Sequence, residues 1–390
     1  MRFAKITDRV AGLGSEKWAV HVEGRQRQAA GEKVIFLSIG EPDLPPAAAI
    51  LDVAARQLKS GRTRYSAGNG EVTLLNALAQ HYTKQTGREI TSTQFLFLPG
   101  TQTALAVAFM SIIEPGDEVI LLDPYYATYE AVISAPGGKP VAVKLDADRG
   151  FHPDIARIES AISPRTRAIL LNSPSNPTGA VFTEAEIRAI SALAVKHDLW
   201  IVSDEVYATL IHSGGTFYSP FFEKELEERV IVCSSISKSH ALPGFRAGWI
   251  AASAAYCEKV IPVSETLLFG SPQFLQDATA FALTNEFAET RQMQQLYVSR
   301  ANALLEGLRG SNKVTARMPE GGMFVMVDVR KTGLSGEDFA LRLLREKGVV
   351  TMPGESFGTS AVGHLRVALS VDEGEIREAA KRIAALAGEI

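Results

Sequence analysis

The strongest candidate for chemistry in this chain is a lysine in a run of small hydroxyl residues. Lys238 lies in SSISKSHALPGFRAGW, residues 234–249, which follows an apolar segment, and Arg246 comes eight residues after it. A lysine amine forms imines where a dry site lowers its pKa and no carboxylate pairs with it. Ser235 and Arg246 could bind a phosphate, the arginine by a bidentate contact. A single lysine is usually a solvated loop residue, but these neighbours favour the reactive interpretation.

A carboxylate and two amides stand at the ends of two other apolar segments. In IVSDEVYATL, residues 201–210, Asp204 follows the apolar start and Tyr207 comes three residues later. Asn172 and Asn176 lie in a second motif, LLNSPSNPTGAVF, residues 170–182. An anion beside a pyridine nitrogen keeps it protonated and makes the ring an electron sink. The amides could face a phenolic oxygen. The alternatives are a helix N-cap for Asp204 and an ordinary turn for the asparagines.

A glycine turn precedes a helical pattern in FLFLPGTQTAL, residues 95–105. Gly100, Thr101 and Gln102 would place free backbone N–H groups at a helix N-terminus, where an anion such as phosphate binds. Many corners between a strand and a helix look the same, so this motif is weak evidence by itself.

Three further motifs suggest ligand contacts. In DPYYATY one of Tyr125, Tyr126 and Tyr129 could stack on a flat ligand, with core packing as the alternative. Arg366 stands in the apolar segment GHLRVALS and needs a partner, either a structural carboxylate or a carboxylate ligand. In SIGEPD, residues 38–43, the backbone at Gly40 could approach a ligand closely.

Short apolar segments must position these residues. Strands are predicted at 95–98, 119–123, 168–172, 199–204 and 230–235, and a helix at 183–197 begins with a capping box of Thr183 and Glu186. Strands that alternate with helices predict an α/β fold with a largely parallel sheet. Ligands of such sheets bind beyond the carboxyl ends of the strands, where most of the candidates lie.

The C-terminal part has a different pattern. It predicts helices at 292–308, 336–347 and 373–386, and strands at 314–318, 323–329 and 364–369, the first two joined by a turn at 319–322. We therefore expect a large domain over residues 46–284 and a smaller α+β domain formed by residues 1–45 and 285–390.

Composition excludes several other classes of protein. The net charge of −4 gives no basic face for nucleic acid, and no apolar run is long enough for a membrane span. Cys233 and Cys257 are too few for a disulfide framework, and the N-terminus has no signal-peptide pattern. We expect a cytoplasmic enzyme with a small-molecule substrate and no metal site.

At this point the sequence resembles the class I and II aminotransferases of fold type I over nearly its whole length. The matching motifs are GEPD, YSAGNG, PGTQTAL, PGDEV, DPYYATY, NSPSNPTG, SDEVY, SSISKSHALPGFRAGW and HLRVALS. The resemblance implies a pyridoxal 5'-phosphate enzyme that transfers the amino group of an L-amino acid to a 2-oxo acid by a ping-pong mechanism. It also implies a homodimer with shared active sites.

The resemblance also implies a role for each matching residue. Lys238 carries the cofactor as a Schiff base and moves the α-proton, and Asp204 pairs with the ring nitrogen. Tyr207 and Asn176 bind the phenolic oxygen, and Tyr126 stacks on the ring. The phosphate is bound by Gly100, Thr101, Gln102, Ser235 and Arg246, with Tyr65 contributed from the other subunit. The substrate α-carboxylate is bound by Arg366, Gly40 and Asn172.

Within the family, the chain is similar to bacterial arginine–pyruvate transaminases and rhizobial aspartate aminotransferases. It departs from prokaryotic aspartate aminotransferases that have a lysine where Gln102 stands, so arginine and aspartate both remain candidate donors. We expect side-chain preference to depend on the N-terminal segment around Trp18 and His21, on residues 269–273 and on residues near Met323. The alternatives are a carbon–sulfur lyase of the same fold and a cofactor-sensing regulator, although no helix-turn-helix fits before GEPD.

Overall fold

A computed structural model describes residues 1–13, 15–212 and 214–390 of the chain. Its strands are β1 (Ile35–Phe36), β2 (Phe95–Leu98), β3 (Glu118–Asp123), β4 (Lys139–Lys144), β5 (Thr166–Asn172), β6 (Trp200–Asp204), β7 (Val230–Ser235), β8 (Gly248–Ala251), β9 (Thr315–Ala316), β10 (Phe324–Asp328), β11 (Val349–Val350), β12 (Met352–Pro353) and β13 (His364–Ala368). Those that form the largest sheet lie in the order β2-β8-β7-β6-β5-β3-β4.

Helices cover both faces of this sheet and surround the smaller ones. They are α1 (Lys5–Arg9), α2 (Ala19–Ala29), α3 (Ala48–Lys59), α4 (Val72–Thr86), α5 (Thr101–Ile112), α6 (Tyr129–Ser134), α7 (Ile155–Ala161), α8 (Glu184–Lys196), α9 (Ile236–Ser239), α10 (Ala254–Leu267), α11 (Gln273–Thr284), α12 (Ala288–Leu308), α13 (Gly336–Lys347) and α14 (Glu373–Glu389). Because both faces are covered, strands such as β2, β3 and β7 are buried along their whole length.

The predicted parallel sheet is confirmed, with one exception. β3, β4, β5, β6 and β7 pair in parallel, whereas β8 runs antiparallel to both β7 and β2. β4 and β8 of this sheet were not predicted from the sequence. β4 lies at the edge of the sheet and is largely exposed, and its short apolar part is flanked by Lys139 and Lys144. β8 has only four residues and begins with a glycine.

Parallel pairing brings the ends of neighbouring strands together. Asn172 at the end of β5 pairs with Asp204 at the end of β6, and Asp204 pairs with Cys233 of β7. The crossover between β5 and β6 contains α8, whose predicted capping box is confirmed by reciprocal bonds between Thr183 and Glu186. The candidate residues after these strands therefore lie at one edge of the sheet.

The C-terminal elements form a four-stranded antiparallel sheet in the order β12-β13-β10-β9, with α12, α13 and α14 beside it. The predicted helix at 336–347 is confirmed, while the strand predicted at 314–318 covers only Thr315–Ala316. The helix predicted at 292–308 begins four residues earlier, at Ala288. The polar start of α12 has no apolar period, which explains the late prediction.

The N-terminal segment joins this smaller sheet region. β1 pairs in parallel with β11, and the Leu37 carbonyl accepts a hydrogen bond from the Ala368 backbone. Val20 and Leu37 belong to the same apolar core as α12, α13 and α14, whereas separate cores pack on the two faces of the seven-stranded sheet. Among the described residues, no helix has the length and apolar character needed to cross a membrane.

Candidate active site

A cavity of about 490 Å³ lies beyond the carboxyl ends of β5, β6 and β7, between the large sheet and the β10–β13 pair. We call it the active-site cavity. The predicted residues that line it are Gly40, Thr101, Gln102, Tyr126, Asn172, Asn176, Asp204, Tyr207, Ser235, Lys238, Arg246 and Arg366. Gly100 lies just behind this lining, and Tyr65 lies outside it.

Lys238 lies in the single helical turn α9, directly after β7. Its Nζ donates a hydrogen bond of 2.6 Å to the Gly40 carbonyl, and no carboxylate of the described residues pairs with it. Burial lowers the Lys238 pKa to about 8, and the charge of Glu41 opposes this shift only in part. An amine with this pKa is partly neutral near pH 7 and can act as a nucleophile or a base.

Asp204 ends β6 and is buried. Its Oδ2 accepts a hydrogen bond of 2.7 Å from the Tyr129 hydroxyl, and its Oδ1 accepts one of 3.2 Å from the Val206 backbone. Burial raises the Asp204 pKa to about 6, and the Tyr129 bond opposes that rise. A turn rather than a helix follows Asp204, so the N-cap interpretation does not hold.

The two asparagines make different contacts. Asn172 bonds to the backbone at both ends of its amide, through the Asp204 carbonyl at 3.1 Å and the Asn176 nitrogen at 2.8 Å. Its amide is thus engaged in holding the Asn176 turn. Asn176 accepts a hydrogen bond of 2.9 Å from Arg366. Tyr207 is buried, and its ring meets the Phe324 ring edge-on.

A cradle for an anion forms where α5 begins. The Thr101 hydroxyl bonds to the Ser235 hydroxyl at 3.0 Å, which joins the starts of α5 and α9. Gly100 has a φ of 86°, and a Cβ at this position would collide with the guanidinium of Arg246. Arg246 itself has a φ of 51° and donates to the Pro99 carbonyl at 3.0 Å. Only glycine fits between this guanidinium and the start of the helix.

Arg366 is fully buried in β13, yet no carboxylate among the described residues pairs with it. Its guanidinium lies between the rings of Phe324 and Phe357, with centroids 4.3 and 4.6 Å away. It donates to Asn176 and to the Ser38 carbonyl, and its Nε has no partner. Burial lowers the Arg366 pKa to about 10. The structural salt bridge considered as an alternative is therefore absent from the described residues.

The remaining predicted residues divide between the cavity and the surface. Tyr126 lines the cavity and contacts Tyr129 edge-on at 5.7 Å. The Gln102 side chain accepts a hydrogen bond of 2.9 Å from Thr128. Tyr65 is 82% exposed and contacts Phe269, itself 74% exposed. Its own chain therefore does not bring Tyr65 to the active-site cavity.

Some cavity residues were missed or misjudged from the sequence. Tyr129 was considered from the sequence only as a ring that could stack on a ligand, whereas its hydroxyl donates a hydrogen bond to Asp204. Glu41 lines the cavity, although only its position beside Gly40 singled it out. Of the residues expected to set side-chain preference, Trp18 lines the cavity. So does Phe324, next to Met323, whereas His21 and residues 269–273 do not.

Comparisons with known proteins identify the family. The model of the class I and II aminotransferases matches residues 32–383. The chain belongs to the class I and II aminotransferases. The arginine–pyruvate transaminase of Pseudomonas aeruginosa is 39% identical over 390 residues, which cover 100% of this chain and 99% of that protein.

Solved structures of this aminotransferase family show the same fold. A double mutant of the Thermus thermophilus aspartate aminotransferase has a TM-score of 0.93 and 32% identity over 99% of this chain and 100% of that one. The aspartate aminotransferase of Rhizobium meliloti has a TM-score of 0.94 and 27% identity over 100% and 99%. The fold is thus fold type I, and the enzyme is an aminotransferase. These relatives do not favour the carbon–sulfur lyase alternative.

Proposed function

We propose that this aminotransferase uses pyridoxal 5'-phosphate, which binds covalently through the Nζ of Lys238. When bound, this group acts as an electron sink that stabilises negative charge at the substrate α-carbon. The main support is that three cations of one cavity, Lys238, Arg246 and Arg366, donate to backbone carbonyls or an amide oxygen and to no carboxylate among the described residues. Cations that lack counterions in a cavity favour anionic ligands, most strongly the buried Arg366.

Residues at the strand ends would hold and activate the ring. Asp204 would hold a proton on the ring nitrogen, because its buried carboxylate has only neutral partners. Tyr207 and Asn176 would bind the phenolic oxygen, and Tyr126 would pack on the ring face. Lys238 would carry the proton between the α-carbon and the cofactor, for which a pKa of about 8 is suitable.

The cradle at α5 would bind the phosphate. Gly100, Thr101 and Gln102 present backbone N–H groups at a helix start, and Ser235 and Arg246 add a hydroxyl and a guanidinium. The backbone N–H groups at a helix start and the guanidinium each favour a doubly charged anion. The close approach of Arg246 to Gly100 supports this role, because the absence of a side chain leaves the guanidinium beside the helix N-terminus.

Arg366 would bind the substrate α-carboxylate, together with the backbone at Gly40 and the nearby Asn172. A buried guanidinium nitrogen without a partner costs free energy, about 1–3 kcal/mol for a neutral group and more for a charged one. A carboxylate ligand would satisfy the Arg366 Nε. The neighbouring rings of Phe324 and Phe357 keep water away from the guanidinium.

Arginine and aspartate are both proposed donors, with pyruvate or 2-oxoglutarate as acceptor. The lining residues include Gln102 and Glu41 but no cation beyond Lys238, Arg246 and Arg366. This set offers no second clamp for a distal carboxylate and supports a donor that is not strictly acidic. The name of the Pseudomonas aeruginosa relative supports arginine.

A panel of half-reactions tests this function. The holoenzyme is mixed with one amino acid at a time, and the absorbance change from the pyridoxal to the pyridoxamine form is recorded. A keto acid should then reverse the change. Release of ammonia without the pyridoxamine form would indicate a lyase instead. Preference for one acidic donor by more than about a thousandfold, roughly 4 kcal/mol, would contradict the broad specificity.

We propose a homodimer in which Tyr65 reaches the phosphate site of the other subunit. The support is the exposure of Tyr65 and Phe269 on the surface of a single chain. Ultracentrifugation at assay concentrations should show an active dimer. A fully active monomer would remove this role of Tyr65.

We also propose that the chain divides into a large domain of residues 46–284 and a smaller domain of residues 1–45 and 285–390. The separate apolar cores support this division.

A further inference from the structure

The GEPD motif contains a second carboxylate, Asp43, that the proposed roles leave unused. Its Oδ1 and Oδ2 accept hydrogen bonds of 2.8 and 2.7 Å from Nη1 and Nη2 of Arg300, a two-point contact. The Arg300 side chain is only 6% exposed and lies in α12. Its Nη1 also donates to the Leu369 carbonyl at 2.8 Å. Arg300 thus joins the motif to the end of the strand that carries Arg366.

The segment that Asp43 ends contacts both central cations of the active site. The Ser38 carbonyl accepts a hydrogen bond from Arg366, and the Gly40 carbonyl accepts one from Lys238. Between Leu37 and Asp43 the backbone forms no helix or strand, so no regular ladder fixes it. Its geometry depends on its anchors, which are β13 at Leu37, the Ser370 hydroxyl at the Ile39 carbonyl and Arg300 at Asp43.

We infer that Asp43 and Arg300 are positioning residues that hold residues 38–41 against Lys238 and Arg366. This inference rests on the proposed carboxylate-binding role of Arg366. Loss of the ion pair would let the Gly40 backbone shift, and small displacements of binding groups weaken substrate binding strongly. Asp43 itself does not line the cavity, so its loss would act only through the displaced backbone and Arg366. The effect should therefore appear first in the binding of the amino acid.

The test compares Asp43→Asn and Arg300→Lys with a control on the same helix. Asp43→Asn keeps the shape and one acceptor, and Arg300→Lys keeps the charge but loses the fork. The control is Glu306→Gln on α12, which breaks the exposed ion pair of Glu306 with Arg377 of α14. KM and kcat are measured for several donors. An α-methyl amino acid, which has no α-proton to lose, gives binding without turnover.

We expect both variants to raise KM and the dissociation constant of the α-methyl amino acid about tenfold for every donor, with smaller changes in kcat. The double variant should have the same KM and dissociation constant as the single variants, because each single substitution already removes the one contact between Asp43 and Arg300. Glu306→Gln should match the wild type. If Arg300→Lys does not fold, Asp43→Asn decides.

Binding within twofold of the control would overturn the inference. So would an unchanged KM with a loss of apparent kcat that follows the folded fraction measured by thermal melting. Failure of the proposed function has a different signature, since the wild type itself would then show no half-reaction with any amino acid.

Discussion

Two cavities border the same pair of strands, β10 and β13, and they differ in whether their charged side chains form ion pairs. Phe324 of β10 and Arg366 of β13 line the active-site cavity, while Asp328 of β10 and His364 of β13 line a second cavity of about 210 Å³. In the second cavity Arg330 pairs with Asp148 at 2.8 Å and with Asp328 at 2.7 Å. In the active-site cavity, Arg366 has only neutral partners among the described residues.

A histidine of the second cavity shows the same contrast. His152 lies 3.0 Å from Glu186 and 3.2 Å from Glu320, and these two hydrogen bonds raise its pKa to about 10. Burial instead lowers the pKa of Lys238 to about 8. Charges of the second cavity therefore stabilise the packing of the chain on itself, whereas those of the active-site cavity are available to ligands.

The largest effect is expected for Lys238→Ala, which removes the only proposed nucleophile and proton carrier together. Turnover should fall by about 10⁴-fold or more, measured with saturating donor and acceptor. Lys196→Ala is the control, since that lysine is 62% exposed and pairs with Glu159. Substantial turnover in Lys238→Ala would remove the distinction between the two cavities.

Asp204→Asn should slow removal of the α-proton by about 10²- to 10³-fold, because the ring nitrogen loses its anion. Single-turnover absorbance with one amino acid measures this rate. The neighbouring Glu205→Gln is a matched control, since Glu205 is equally buried but bonds to Ser203 and Ser219. Equal rates in the two variants would contradict the role of Asp204.

Arg366→Lys should raise KM by about 10- to 100-fold for all donors alike, because lysine cannot form a two-point contact with a carboxylate. Steady-state kinetics with acidic, basic and aliphatic amino acids would check it. A loss confined to one donor class would show that Arg366 binds a side chain rather than the α-carboxylate.

The pH dependence of cofactor binding should follow Lys238. Only the neutral form of the Lys238 amine reacts with the cofactor, and the pKa of Lys238 is about 8. The rate at which apoenzyme takes up pyridoxal 5'-phosphate should therefore rise about tenfold per pH unit below pH 8 and level off above it. Stopped-flow absorbance gives the profile. A midpoint near pH 10.5 would show that burial does not lower the pKa of this lysine.

The smallest effect on activity is expected for Arg330→Gln in the second cavity. Its contacts with Asp148 and Asp328 are partly exposed, so the free energy of unfolding should decrease by about 1 kcal/mol or less. We expect kcat/KM within about twofold of the wild type. A loss comparable to that of Arg366→Lys would mean that this cavity also contributes to catalysis.

The sequence indicated the strand ends well, because local patterns encode them. Asn172, Asp204 and Ser235 follow or end apolar runs, and parallel pairing then brings them to one edge. Contacts between distant segments could not be predicted in this way. The Tyr129 bond to Asp204 and the two-point contact of Arg300 with Asp43 depend on tertiary packing, and a side chain's spacing does not reveal its partner.

The antiparallel β8 and the partners of Arg366 were inaccessible for the same reason. Four residues beginning with glycine carry too little pattern to predict a strand. The sequence offered either a structural carboxylate or a carboxylate ligand for Arg366. Only the fold shows that Asn176 and the Ser38 carbonyl are its neighbours and that its Nε has none.

The most direct test of the account is to find which lysine binds the cofactor. The holoenzyme is reduced with borohydride, digested, and its labelled peptide identified by mass spectrometry. We predict one labelled peptide per chain, with the cofactor on Lys238. A label on any other lysine, or transamination by an enzyme in which Lys238 stays unlabelled, would contradict the central claim.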